Sequence, residues 1–380
     1  MIAASLPARA DFRACLADIA GAARARGISQ ATLDAVLPTL SFNPEVLDFE
    51  KSQPEFITPV WDYIAGLVDD ERIADGRAML KQWNRWFTLA EHRFGVDAAV
   101  VAAVWGVESN YGRGTGGRPV LQSLATLSCA GRRPDYYRSE LIAALQIVQA
   151  GDVPAQFSGS WAGAFGQTQF MPSTFLRLAV DFDGDGRRDL IGSVPDALGS
   201  TANYLHKYGW IPGVPWGFEV RLPAGYDGPS GRQHKQAMNA WAARGITHID
   251  GSPIVGTGRV GLLLPAGPHG PAFLVTHNFD VIFSYNAAES YALAIALLSD
   301  RLLGRGPIVT PWPTDDPGLS RAERRELQAL LMRRGYDLDG KADGVMGRKT
   351  MAAIADFQSR SGHKPDGRAS LSVLTALRGH

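Results

Sequence analysis

Residues 98–108 read AAVVAAVWGVE, apolar on every side until the final glutamate. A helix with no polar face is stable only where other elements cover it all round, so this segment must run through the centre of a domain. Gly95 ends the amphipathic stretch before it, and Asp97 is placed to cap it. The rest of the chain must supply the cover. With 380 residues, 45% of them hydrophobic and 20% charged, it has the material for that and for two or three domains. Thirty-eight Lys and Arg balance 38 Asp and Glu, so no bulk charge draws the protein to nucleic acid or to an anionic membrane. No apolar run reaches the ~18 residues of a membrane-spanning helix.

Periodicity divides the chain. Residues 11–45 carry a helical pattern through Phe12, Leu16, Ile19 and Ala23. Residues 70–94 predict one long amphipathic helix, and 136–150 and 194–208 predict two more. After Trp210, short β-rich runs alternate with Gly and Pro, which predicts a small antiparallel subdomain over about 215–282. A helix returns at about 287–302. The segment 304–318, GRGPIVTPWPTDDPG, reads as a stiff extended linker that holds the tail apart. Residues 319–380 form that tail, with helical spacing at Leu327, Leu330, Leu331, Ile354, Phe357 and Leu374 and Asp-Gly turns at Asp339, Asp343 and Asp366.

Two cysteines, Cys15 and Cys129, exclude a disulfide-dense scaffold and a four-Cys zinc site. They are either buried thiols or one disulfide formed in an oxidising compartment. Residues 1–10, MIAASLPARA, are either the remnant of a signal peptide ending in Ala8-Arg9-Ala10 or a disordered start.

Glu108 ends the apolar helix, with Ser109-Asn110-Tyr111-Gly112 directly behind it. A carboxyl there is either solvated at the helix end or held against an apolar wall. In the second case desolvation favours its protonated form, which is what cleavage of a glycosidic bond needs to protonate the leaving oxygen. The segment Gly159 to Ser173, GSWAGAFGQTQFMPS, is too rich in glycine for a helix and supplies an amide at Gln169. Trp161, Phe170 and Tyr111 offer aromatic faces for a sugar ring, and Ser173 is placed to cap a helix over 174–180.

These segments carry a resemblance. GVESNYGR (106–113), ATLSCAGRRPDYY (125–137), GSWAGAFGQTQFMPS, DFDGDGRRDL (181–190), ANYLHKYGW (202–210) and FSYNAAESYALAI (283–295) are similar, in order, to the lytic murein transglycosylase B family. The resemblance spans roughly 11–303. It implies a mainly α (α+β) fold, with a lysozyme-like helical catalytic core and a small antiparallel β subdomain. It also implies cleavage of the β-1,4 bond between N-acetylmuramic acid and N-acetylglucosamine, leaving a 1,6-anhydro ring and using no cofactor. Glu108 takes the role of single acid/base. Ser160, Gln169, Tyr204, Tyr285, Asn286 and Tyr291 match groups around the scissile bond, with Trp161 and Tyr63 as further contacts. Arg132 and Arg133 match paired arginines that would face the carboxylates of muramic acid. A Tyr in any of these places also reads, locally, as core packing.

Asp181-Phe-Asp183-Gly-Asp185-Gly186-Arg187 has the D-x-D-x-D-G front of a calcium loop, with hard oxygens alternating along a turn and a backbone carbonyl at Arg187. Gly192 stands where the closing Glu would be, and the family closes its loop with an Asp such as Asp196. A structural Ca²⁺ is expected, against a plain Asp-Gly turn. Through Glu326-Leu327-Gln328, Gly335-Tyr336, DGVMG (343–347) and Phe357-Gln358, the tail resembles the peptidoglycan-binding domain 1 family. That implies a three-helix module anchoring the enzyme to glycan strands. The whole is expected to be an exported, periplasmic monomer. Two other readings stay open: a hydrolytic muramidase of goose-lysozyme type on a similar core, and a non-catalytic wall-binding protein.

Overall fold

The computed structural model of the chain describes residues 6–50 and 58–379, with side chains from Asp11 onward. Helices α1 (Leu6–Ala25), α2 (Gln30–Val36) and α3 (Pro44–Phe49) come first, then α4 (Val60–Leu67), α5 (Asp70–Gln82), α6 (Asn84–Phe94) and α7 (Ala98–Ser109). After strand β1 (Arg118–Pro119) follow α8 (Val120–Ala130), α9 (Pro134–Ala150), β2 (Ser158–Gly159), α10 (Pro172–Leu178) and α11 (Val194–Lys207). The β-rich region holds β3 (Gly217–Arg221), β4 (Gly231–Ala237), α12 (Met238–Ala242), β5 (Thr247–His248), β6 (Arg259–Leu263) and β7 (Ala272–Val275). Helices α13 (His277–Phe283), α14 (Glu289–Leu302), α15 (Arg321–Arg333), α16 (Arg348–Arg360) and α17 (Leu371–Arg378) complete the chain. No helix among the described residues is long and apolar enough to cross a membrane.

The chain forms two compact units, residues 1–53 with 79–208 and residues 54–78 with 209–380. In the first, every residue of α7 from Ala99 to Gly106 is buried, as its all-round apolar pattern requires. Gly95 closes α6 in the left-handed conformation and Asp97 stands at the N-cap of α7. The expected helix over 70–94 is two. Trp83 leaves the helical region (φ −104°, ψ 20°) between α5 and α6. A break one residue long leaves the apolar period almost unshifted, so the sequence carries no mark of it. At the N-terminus, Ala8-Arg9-Ala10 lies within α1, which is helical rather than a disordered start, and Met1–Ser5 lies outside the described residues.

Cys15 on α1 and Cys129 on α8 are bonded, with Cα atoms 5.9 Å apart. Of the two readings left open, the disulfide is the one formed.

In the second unit, five antiparallel strands pair in the order β4-β6-β7-β3-β5. Their buried face, with Val220, Val260, Leu262 and Leu274, packs around Trp241 and Ile246. The Trp241 indole donates to the Val260 carbonyl (2.8 Å), so the largest buried ring in this core leaves no polar atom unmet.

The tail is the expected three-helix module, with Leu319, Leu327, Leu331, Ile354 and Leu374 fully buried. Ser320 and Glu323 form a reciprocal capping box at the start of α15. Two buried glutamines explain the motifs of this region. Gln328 donates to Asp343 Oδ1 (3.1 Å) and accepts from the Gly344 N–H (2.7 Å). Gln358 does the same with Asp366 (2.8 Å) and Gly367 (2.8 Å). The Asp-Gly turns at 343 and 366 are thus each clasped by one amide, and Gly344 and Gly367 take the positive φ the turn needs.

The Pro-rich segment is packed and not a free spacer. Val309 and Thr310 N–H groups donate to the Glu219 carboxylate (2.8 Å each). The module itself rests on α4 and α5. Arg368 forks onto the buried Asp62 (2.6 and 2.9 Å) and reaches Asp316 (2.9 Å). Arg321 pairs with Glu71 and Asp75, Arg325 with Glu71, and Arg324 donates to the Asp62 carbonyl (2.9 Å). At Gly318 an added Cβ would lie 2.6 Å from the Asp62 Cα, so the backbone approach itself demands glycine.

Replacing Cys15 or Cys129 by Ser should destabilise the first unit. The bond closes a separation of 114 residues, which in the chain-entropy model is worth roughly 4–5 kcal/mol at most. Thermal unfolding with and without reductant checks this: the wild type should drop toward the variants, and the variants should not respond.

Candidate active site

The end of α7 is where the first unit departs from ordinary helix chemistry. Asn110, Tyr111 and Gly112 take φ values of 51°, 59° and 83°, three consecutive left-handed residues. Asn and Gly tolerate that conformation, whereas for Tyr it stores of order 1–3 kcal/mol, held only because its surroundings fix it. The Tyr111 ring is buried edge-on against Trp105 (centroids 5.6 Å apart) and lies over Gly106, where a Cβ would come within 2.7 Å of the phenol. Ser109, buried, fastens the turn. Its hydroxyl donates to the Gln167 carbonyl and accepts from the Gly112 N–H (2.9 Å). The half-buried Glu108 is therefore held one residue away from a bond that joins the central helix to the glycine-rich segment.

That segment is a set of tight backbone reversals. Gly159 pairs with Arg118 and Phe165, and Phe165 exchanges two backbone bonds with Phe170 (3.0 Å each). Ser160 closes the first reversal through its N–H to the Ala164 carbonyl (2.7 Å), while its Oγ accepts from the Ala164 N–H (3.0 Å). The Ser160 hydroxyl keeps its own O–H and one lone pair. Gln169, at φ 51°, spends its amide N–H groups on the carbonyls of Thr115 and Gly166 (2.9 Å each), which fixes the orientation of its side-chain carbonyl. Trp161 is half-buried in the same loop. Tyr204, on α11, is 5% exposed, stacked on Tyr208 (4.3 Å) and tilted against Phe170 (6.0 Å).

The loop's far end departs from the expected capping. Helix α10 begins at Pro172, and Ser173 does not cap it. Instead the buried Glu140 of α9 accepts from the Ser173 N–H (2.9 Å) and hydroxyl (2.6 Å). Glu140 was not legible as part of this region, because its partner is 33 residues away and nothing in its own helix marks it.

Arg132 and Arg133 are exposed at the turn between α8 and α9. The Arg132 backbone N–H is held by both oxygens of Glu50 (3.0 Å each), and the Arg133 guanidinium lies over Tyr136 (4.2 Å). Tyr63, Tyr285, Asn286 and Tyr291 belong to the second unit. There Tyr63 is half-buried on α4, Asn286 is exposed, and the rings of Tyr285 and the buried Tyr291 stack 6.4 Å apart.

The acidic loop folds on itself. Oxygens of Asp181, Asp183 and Asp196 gather within 4.8 Å of one another. Asp196, fully buried, accepts from the Phe182 (2.7 Å) and Asp189 (2.8 Å) N–H groups. Burial pushes its carboxyl above the ordinary range, against those backbone donors. Asp185 stays outside the cluster, its Oδ1 taken by the Arg187 N–H (2.8 Å). The same loop ties to the glycine-rich segment: the Gln167 N–H donates to the Leu190 carbonyl (2.8 Å).

Comparison with known proteins bears on what this arrangement is. Residues 11–300 match the model of the transglycosylase SLT domain, and residues 320–377 match a putative peptidoglycan-binding domain. The chain belongs to the SLT transglycosylase family. It is 32% identical over 273 residues to membrane-bound lytic murein transglycosylase B of Escherichia coli (strain K12), covering 70% of each chain. Among solved structures it is similar to SltB3 of Pseudomonas aeruginosa in complex with NAG-anhNAM-pentapeptide, at 46% identity and a TM-score of 0.77, over 97% of this chain and 99% of that one. It is also similar to the Escherichia coli lytic transglycosylase Slt35 in complex with calcium, at 28% identity and a TM-score of 0.68, over 78% and 94% of the two chains. The family member described here is a peptidoglycan lytic transglycosylase with a lysozyme-like helical core.

Ser109→Ala should loosen the site without touching its carboxyl. The Gln167 carbonyl and the Gly112 N–H would both lose their partner, at a cost of about 1–3 kcal/mol. Urea unfolding should show that loss as a lowered midpoint.

Proposed function

We propose that the chain cleaves the β-1,4 bond between N-acetylmuramic acid and N-acetylglucosamine with Glu108 as its single acid/base. The observation that carries this reading is the station of Glu108. It is a half-buried carboxyl at the end of a fully buried helix, and the neighbouring Ser109 is bonded to the loop that presents Ser160 and Gln169. In the first step the Glu108 carboxylic acid gives its proton to the glycosidic oxygen as the C1–O bond breaks. In the second, the Glu108 carboxylate takes the proton of the C6 hydroxyl of the same muramic acid, and O6 bonds to C1. No water is consumed, and the new chain end carries a 1,6-anhydro ring. The attacking hydroxyl is tethered to the reacting sugar, so proximity replaces the second carboxylate that paired-carboxylate glycosidases use.

In this reading the fixed carbonyl of Gln169 and the O–H of Ser160 orient the sugar's polar groups. Tyr204 adds to the surroundings of the scissile bond, with Trp161 as an outer contact. Arg132 and Arg133 face the carboxylates of the stem, and the C-terminal module holds the polymer. Work in the periplasm fits the disulfide, which persists in oxidising compartments.

Glu108→Gln keeps shape and loses the transferable proton. Turnover of sacculi should fall ~10²–10⁴-fold while pelleting with sacculi is retained. Mass spectrometry of the wild-type products should give anhydro ends, lighter by one water than the ends a hydrolytic muramidase leaves. Retained turnover by the variant would remove Glu108 from the central role, and hydrated ends would make the enzyme a muramidase.

The carboxylates of Asp181, Asp183 and Asp196 form a hard oxygen set of the kind Ca²⁺ takes. A bound ion would brace the loop tied to Gln167, a structural part and not a chemical one. Millimolar Ca²⁺ should raise the melting temperature and chelator should lower it, since a ligand of the folded state alone stabilises it. The gain should fade as pH falls, starting above the usual Asp range, because burial makes Asp196 take up its proton early.

A further inference from the structure

Three aromatic rings lead from Gln169 to the surface of the first unit. Phe170, the next residue, is 1% exposed, and Tyr204 on α11 lies tilted against it (6.0 Å). Tyr208 stacks on Tyr204, the two rings 14° from parallel with centroids 4.3 Å apart. Tyr208 itself is 40% exposed, more than any other Phe, Tyr or Trp side chain among the described residues. The row thus starts at a buried neighbour of Gln169 and ends at a ring open to solvent. That outermost ring stands on fixed backbone. Tyr208 closes α11 with its N–H donating to the Tyr204 carbonyl (3.0 Å), and the chain turns away at Gly209 with φ 94°. In the last turns of α11, Asn203 donates to the Leu178 carbonyl (2.9 Å) and the His206 ring to the Phe94 carbonyl (2.9 Å). A side chain already ordered by its stack and its helix has little freedom to lose when a ligand covers it. What an exposed aromatic ring takes is a flat surface of C–H groups. A β-1,4-linked hexosamine, with its substituents equatorial, presents such a surface on the axial face of its ring.

We propose that Tyr208 is a saccharide platform, taking the C–H face of one N-acetylhexosamine ring of the glycan strand, beyond the sugar that Gln169 meets. The proposal rests on the reading of the chain as a glycan-cleaving enzyme. It adds a residue that binds the strand and takes no part in the chemistry. A platform away from the reacting bond holds substrate and transition state alike, so it governs KM and leaves kcat. A ring that only braced Tyr204 would act the other way, through kcat.

The test uses the full chain with Tyr208→Ala, which removes the ring, and Tyr208→Phe, which keeps it. Release of anhydro ends from stem-free glycan strands gives kcat and KM, and calorimetry gives binding of the β-1,4 hexamer of N-acetylglucosamine. Tyr208→Ala should raise KM and weaken hexamer binding, each about tenfold, with kcat within about twofold of wild type. Tyr208→Phe should stay within about twofold of wild type in all three. A fall in kcat at unchanged KM in Tyr208→Ala would make the ring a brace for Tyr204 and overturn the platform. Unchanged hexamer binding in Tyr208→Ala would overturn it too. So would a loss in Tyr208→Phe equal to that in Tyr208→Ala, because the ring face would then carry nothing. If the wild type releases no anhydro ends yet loses hexamer binding on Tyr208→Ala, the proposed function fails and the platform stands.

Discussion

A helix buried on every side has nowhere to send its last carbonyls except into the protein, and this constraint organises the first unit. At the end of α7 the chain cannot fray into water. It turns at once through three left-handed residues, and the Ser109 hydroxyl takes over the polar accounting by bonding to the glycine-rich segment. From that one side chain the order spreads outward. Gln167 fastens to Leu190, which carries the acidic loop, and Glu140 fixes the other end of the segment at Ser173. The Glu108 carboxyl gains its station from this scaffold, on rigid elements.

The second unit is built on a different principle. Its sheet has a conventional apolar core around Trp241, but the module attaches through arginines. Asp62 sits at 4% exposure beneath Arg368, with Arg324 donating to its carbonyl and Gly318 passing close enough to forbid a Cβ. Ion pairs of this sort add little net stability compared with apolar packing, yet they are costly to half-break, so they select one seating for the module among many.

What the sequence disclosed divides along physical lines. Residues 98–108 were legible because an all-apolar helix has one solution, and the β-rich runs were legible from their alternation with Gly and Pro. The motif residues of the first unit were legible as a group through the family resemblance. Local pattern was silent wherever the partner is remote. The bend at Trp83 hides in an unbroken apolar period. Glu140 is an unremarked acid in a helix until Ser173 folds over it. The arginines at 321, 324, 325 and 368 carry no local mark of their role, because nothing near them in sequence names Asp62 or Glu71 as their counter-ions. Residues 304–318 do lie between the two matched domains, but their packing was hidden for a similar reason: proline stiffness is local, while the grip of Glu219 on Val309 and Thr310 spans some 90 residues.

The Cys15–Cys129 bond has a consequence for how the chain matures. A protein with two cysteines has one intramolecular pairing and no wrong isomer. Oxidation therefore needs an electron acceptor and no isomerase, and the slow reshuffling that delays multi-disulfide proteins has no counterpart here. The timing is set by chain order. Cys15 must wait, unpaired, until 114 further residues have brought its partner into reach. During that interval the N-terminal helix is exposed to capture by other thiols. A single bond of long span thus trades freedom from scrambling for a longer period of vulnerability to mixed disulfides with neighbouring molecules.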